Sequence, residues 1–231
     1  MNAWFVTGTD TGVGKTLIAT ALIHRLRERH ARVAGMKPIA AGSHTLPDGS
    51  TSNEDVLALR AAGSVDAPTA LLNPYLLDAP VSPHIAAKKE GVLIDIRKIV
   101  DAFHALRERS DAVIVEGAGG FRVPITDTLD GADLAQALGL PVILVVGLRL
   151  GCLNHALLSV ESIAARGLPL AGWIANRIDP DMPEQAANLE WLAARLDAPC
   201  LGDVPHQRPA DARAAATHLR LPEPIMKGPG S

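Results

Sequence analysis

The chain has 231 residues, 48% of them hydrophobic and 20% charged, with a formal net charge of -3. Scattered Lys and Arg, near-balanced charge and apolar runs far below the ~18 residues of a membrane span argue against a nucleic-acid or membrane partner. The length suits one large domain or two small ones, and one is favoured because α/β domains often exceed about 200 residues.

The elements follow in chain order. Trp4-Phe5-Val6 reads as a strand, and residues 15–29 as a helix with Ile18, Leu22 and Leu26 on one face. Residues 33–37 read as a second strand ended by Pro38, and Val56, Leu57 and Leu59 open another helical pattern. Residues 95–108 carry Ile96, Ile99, Val100, Phe103 and Leu106 in helical register. Residues 112–115 are apolar throughout, as in a parallel strand buried on both faces, and 141–146 and 170–175 are of the same type. Residues 157–165 and 186–196 are the intervening helices, while 42–54 and 73–92 read as long loops. Strands alternating with helices predict a single-domain α/β fold, a mostly parallel sheet with helices on both faces, over residues 1–226. Residues 227–231 read as a flexible tail. The two distant cysteines, Cys152 and Cys200, fit neither a disulfide framework nor a zinc site and read as buried free thiols. With no leader pattern before the first strand, a reducing, cytoplasmic setting is expected.

In a parallel sheet ligands bind beyond the carboxyl ends of the strands. The first of these ends carries Gly-Thr-Asp-Thr-Gly-Val-Gly-Lys-Thr at 8–16, a phosphate-binding loop between strand and helix. Its backbone N–H groups and the helix N-terminus suit phosphate oxygens. Lys15 is expected to reach the β- and γ-phosphates and Thr16 to hold Mg²⁺. Five residues, rather than the usual four, separate Gly8 from Gly14, and Thr9 takes the first-glycine slot. A Rossmann reading fails because neither Gly12-Val13-Gly14 nor Gly117-Ala118-Gly119 has a third glycine at the needed offset.

Glu116 ends an apolar strand, where a carboxylate needs a partner. A bound Mg²⁺ would be one. The glycines at 117, 119 and 120 would let a phosphate or substrate approach the backbone. Lys37 ends the second strand, where it could stabilise charge on a transferring phosphoryl group or lie on the surface. Asp55 could be a second Mg²⁺ carboxylate or a helix cap, and adjacent Glu54 rivals it. Asn176 could read a base edge or sit in a turn, and Asn176-Arg177-Ile178-Asp179 echoes the base-reading motif of GTPases, which keeps guanine open.

These pieces together resemble dethiobiotin synthetase. The match runs through residues 5–16 and 35–42, Asn73-Pro74-Tyr75, Ala79 to His84, Val115 to Gly120, Leu150 to His155, Gly172 to Asn176 and Gly202 to Pro205. The resemblance implies ATP- and Mg²⁺-dependent closure of a cyclic urea on 7,8-diaminononanoate with CO₂, through a carbamate and a carbamic–phosphoric anhydride. It implies that Thr16, Asp55 and Glu116 hold Mg²⁺ and that Lys37, Lys15 and Thr11 are catalytic. The nucleotide would meet Gly12, Val13, Gly14, Lys15, Thr16, Leu17, Asp55, Glu116, Gly117 and Gly119, with Asn176, Pro205, His206 and Gln207 facing the base. The diamine would meet Thr11, Lys37, Ala41, Gly151, Cys152 and Asn154, the last three across the interface of a homodimer. Ala41 stands where some members carry Ser, and Asn188 where some carry Tyr. A regulatory or partitioning ATPase, or a GTPase switch, is the rival; Asp10 stands where partitioning ATPases carry a second lysine. A cobyrinate-type amidotransferase would need a further domain for which this length leaves no room.

Overall fold

A computed structural model describes residues 2–223; the tail expected at 227–231 lies outside them. In chain order the elements are β1 (Asn2–Gly8), α1 (Lys15–Arg27), β2 (Val33–Met36), β3 (Ile39–Ala41), β4 (His44–Thr45), β5 (Thr51–Ser52) and α2 (Glu54–Ala62). Next come α3 (Thr69–Leu72), β6 (Tyr75–Leu77), α4 (Pro83–Glu90), α5 (Ile96–Glu108), β7 (Ala112–Gly120) and α6 (Gly131–Leu138). The last are β8 (Val142–Gly147), α7 (Cys152–Ala165), β9 (Leu170–Asn176), α8 (Gln185–Arg195), β10 (Cys200–Val204) and α9 (Ala212–Ala216).

Six strands form the central sheet in the order β10-β9-β8-β1-β7-β2. Every pairing within it is parallel. The side-chain period of two sends neighbours to opposite faces. Ala3 and Phe5 pack with Ile99, Phe103 and Leu106 of α5 and with α6. Trp4 and Val6 pack with Ile18, Leu22 and Ile23 of α1 and with α9 on the other face. Toward the β10 edge, Leu144, Val146 and Trp173 meet α7 and α8. With both faces covered, the strands read as unbroken apolar runs, as the sequence suggested.

The two long loops expected from sequence are corrected. Residues 42–54 hold the β4–β5 hairpin, whose two-residue strands are too short to show alternation. Residues 73–92 hold β6, paired parallel with β3, and α4, which has Pro83 in its first turn and Gly91 in the left-handed region at its end. Those two punctuation marks were present in the sequence. Boundaries move as well, two of them beside the strand ends of interest. β2 stops at Met36, leaving Lys37 just beyond it, and β7 runs past Glu116 to Gly120. Cys152 is buried as expected, but Cys200 is only half-buried on β10.

Candidate active site

Strands β1, β2 and β7 lie side by side, so the residues at their carboxyl ends converge. The loop from Gly8 to α1 wraps the first end. Gly14 has φ +83 and sits at the helix start. A side chain there would be strained, and its Cβ would fall on the Asn176 amide. Within the loop, Thr11 N–H donates to Asp10 Oδ1 at 2.7 Å and Lys15 Nζ donates to the Asp10 carbonyl at 3.1 Å. Arg149, at the end of β8, pairs with Asp10 Oδ2 at 2.5 Å. Nothing local to Arg149 in the sequence marked this contact.

Three segments distant in sequence meet at Thr16. Its hydroxyl, with one hydrogen to donate, lies within hydrogen-bond reach of both Asp55 Oδ1 at 2.7 Å and Glu116 Oε1 at 2.9 Å. Lys37 Nζ lies 2.6 Å from Glu116 Oε1 and 2.8 Å from Asp55 Oδ2. Lys37 is therefore no surface lysine: it is 5% exposed and Glu116 1%. Asp55 does not cap α2, because Asn53 does, accepting from Asp55 N–H at 3.0 Å. Glu54 is exposed, and Asp55 is the carboxylate that reaches Thr16.

This charge cluster sets the titration of its members. Burial pulls the Lys37 ammonium down, but Glu116 and Asp55 outweigh it and hold the group above its ordinary value. Asp55 is raised by burial, but Lys37, the Thr16 hydroxyl and Lys15 together outweigh it and hold the carboxyl below the usual carboxylate range. Lys15 is lowered to about 8, first by burial and then by the like charge of Lys37.

The donor set fits a hard divalent cation. A hydroxyl and two carboxylates present oxygens only, and Glu116 Oε2 is buried without a hydrogen-bond partner. Magnesium is commonly held by one or two carboxylates together with substrate phosphates. Among the described residues no group of three His, Cys, Asp or Glu side chains could form an all-protein metal cage.

Beside the cluster lies a cleft of about 420 Å³ bounded by Thr11, Lys37, Ala41, Asp55, Ser82 and Gly119. Ala41 and Thr11 thus line the same cleft as Lys37. Gly117 packs closely on the Phe5 ring, while Gly119 lines the cleft. Val13 is buried in the apolar layer under α1, so only its backbone can serve a ligand, while Leu17 packs against that layer and is half-buried. At the other rim, Asn176 is buried and its amide donates to the Val13 carbonyl at 2.9 Å. Pro205 is exposed, His206 half-buried, and the Gln207 side-chain oxygen Oε1 accepts from Asp211 N–H at 2.9 Å. That contact turns Gln207 toward the start of α9.

The start of α7 stands apart. Gly151 has φ +94 at the helix N-cap, and Asn154 is exposed, but neither lines the cleft that holds Lys37. The Cys152 side chain is buried among Leu144, Val146 and Trp173. What Cys152 has at the helix start is its backbone N–H, the group expected to serve there.

A family model described as an AAA domain matches residues 2–214. An ATP-dependent dethiobiotin synthetase from Aromatoleum aromaticum is 59% identical over 95% of this chain and 97% of its own length. One from Ralstonia nicotianae is 56% identical over 94% of each. Among solved structures, the MinD cell division protein of Aquifex aeolicus has a TM-score of 0.55 at 18% identity, covering 94% of this chain and 87% of that one. A ParA family ATPase from Chlorobium tepidum TLS has a TM-score of 0.53 at 16% identity, covering 94% and 90%. These two likenesses concern the fold alone, a phosphate-loop α/β domain.

Proposed function

The chain belongs to the ATP-dependent dethiobiotin synthetase family, and we propose that it closes the cyclic urea of dethiobiotin at the cleft beside Lys37 and Glu116. The observation that carries this reading is the convergence of Lys15, Thr16, Lys37, Asp55 and Glu116 at three adjacent strand ends. Such a cluster suits phosphoryl transfer, where the protein chiefly positions groups and neutralises charge.

The reaction runs in three steps. One amine of 7,8-diaminononanoate attacks CO₂ and loses a proton, giving a carbamate. A carbamate oxygen attacks the γ-phosphorus of ATP and ADP departs, leaving a carbamic–phosphoric anhydride. The second amine attacks the anhydride carbonyl, phosphate leaves, and the ring closes. Lys37, kept charged by its two carboxylates, steadies the carbamate and the transferring phosphoryl group. Lys15 meets the β- and γ-phosphates, and Thr11 stands at the carbamate end. Thr16, Asp55 and Glu116 would hold Mg²⁺, which would neutralise charge on the phosphates. Ala41 leaves the cleft wall without the hydroxyl that some members supply. Asn176 and the 205–207 segment form the base-facing wall, with Gln207 contributing least because its oxygen is engaged.

Two further parts of the reading concern assembly and setting. Leu150 is 91% exposed and Leu158 55% exposed at the start and middle of α7. Exposed apolar side chains beside Gly151 and Asn154 suit a homodimer in which this helix start binds the diamine carboxylate of the partner. The chain works in the cytoplasm, a setting that its two free thiols suit. No helix of the described residues is long and apolar enough to cross a membrane. The direct experiment is analysis of the product formed from the diamine, bicarbonate and MgATP.

A further inference from the structure

Asn176 is followed by Arg177-Ile178-Asp179, the segment that echoes a guanine-reading motif. In such a motif the aspartate carboxylate must face the base to accept its N–H groups. Here it does not. Asp179 Oδ1 accepts from Asp181 N–H at 3.1 Å, and the Asp179 carbonyl accepts from Gln185 Nε2 at 2.9 Å. Both groups are taken up by the turn leading into α8.

The guanidinium of Arg177 holds that arrangement. Its Nε donates to Asp203 Oδ1 at 2.9 Å and its Nη2 to Asp203 Oδ2 at 2.6 Å, a two-pronged pair. Its Nη1 donates to Gln185 Oε1 at 3.1 Å, so the same glutamine clamps Asp179. The backbone closes the unit. Arg177 N–H donates to the Val204 carbonyl at 2.9 Å, and His206 Nδ1 lies 3.1 Å from the Arg177 carbonyl. One residue thus joins the ends of β9 and β10, the start of α8 and the 205–207 segment, directly beside the Asn176 amide that is bound to the phosphate loop.

We propose that Arg177 is a positioning residue for nucleotide-base selectivity: paired with Asp203, it keeps Asn176 toward the base and Asp179 away from it. This rests on the reading of Asn176 and the 205–207 segment as the base-facing wall. The pair touches neither the phosphates nor the Lys37 cluster. Its loss therefore acts on base binding, not on phosphoryl transfer.

The test compares ATP with GTP as substrates for Arg177→Met, Asp203→Asn, the charge swap Arg177→Asp/Asp203→Arg, and Asn176→Ala, each with a melting curve. Both single variants are expected to raise KM for ATP about fivefold, with kcat changed by less than about twofold. Discrimination between ATP and GTP should fall by about the same fivefold factor, with partial recovery in the swap. If Asn176→Ala shifts KM and discrimination while neither pair variant does, the base wall stands and the role of Arg177 is overturned. If Asn176→Ala shifts neither, the base-wall reading itself fails. Lower melting temperatures in all pair variants with unchanged discrimination would make the pair structural only and overturn the proposal.

Discussion

Lys37, just past the end of β2, and Glu116, within the neighbouring β7, form a buried ion pair, Nζ to Oε1 at 2.6 Å. Neither group could be buried alone without a large desolvation cost, and Asp55 supplies the second charge that Lys37 offsets. Lys37→Met should therefore damage two properties at once. Turnover should fall about a hundredfold or more, the scale of losing one charge stabiliser. Stability should fall by about 3–5 kcal/mol, because Glu116 is left buried and unpaired. Mg²⁺ should restore part of the lost melting temperature, since it can take the place of the missing cation. A melting curve with and without Mg²⁺ checks this; no loss of stability would mean that Glu116 does not depend on Lys37.

Glu116→Gln keeps the shape of the side chain and removes its charge. The half-saturating Mg²⁺ concentration should rise about tenfold or more, because one of the two carboxylates that would hold the metal is gone. An unchanged Mg²⁺ titration would place the metal elsewhere.

The pH response of nucleotide binding follows from Lys15, lowered to about 8 by burial and Lys37. Its charge is present below that pH and is lost as pH rises through it. Affinity for a non-hydrolysable ATP analogue should thus be flat below about pH 7.5 and weaken above 8, approaching about tenfold per pH unit. Lys15→Arg should bind without this fall, because a guanidinium stays charged throughout. Calorimetric titration across the range measures both; an equal decline in the two proteins would assign the effect to another group.

Shared sites can be tested by mixing inactive variants. Lys15→Ala disables the phosphate loop and Asn154→Asp sets a carboxylate against the substrate's own. If the α7 start serves the partner, mixed dimers contain one intact site, and partial activity returns after subunit exchange. Demonstrated exchange without recovery would confine each site to one chain.

Much of this was legible in the sequence because parallel sheets bring strand ends together. The loop at 8–16, Lys37 after β2 and Glu116 on β7 could be placed from apolar runs and punctuation alone. Register was not legible, so sequence could not show that Lys37 would neutralise Glu116 before any metal did. It also kept Glu54 as a rival to Asp55; in the fold Asn53 caps α2, Glu54 is exposed and Asp55 meets Thr16. Arg149 and the Arg177–Asp203 pair join residues far apart in the chain, and neither residue type nor spacing announces such contacts. The helix α4 was missed although Pro83 and Gly91 bracket it, because its eight residues carry too few apolar positions for a clear period.

The central claim is the ring closure itself. The protein, incubated with 7,8-diaminononanoate, isotopically labelled bicarbonate and MgATP, should yield a product analysed by mass spectrometry. The account predicts a compound heavier than the diamine by one labelled carbonyl less two hydrogens, formed with one ADP and one phosphate for each ring. ADP and phosphate without such a product, or a product lacking the label, would contradict it.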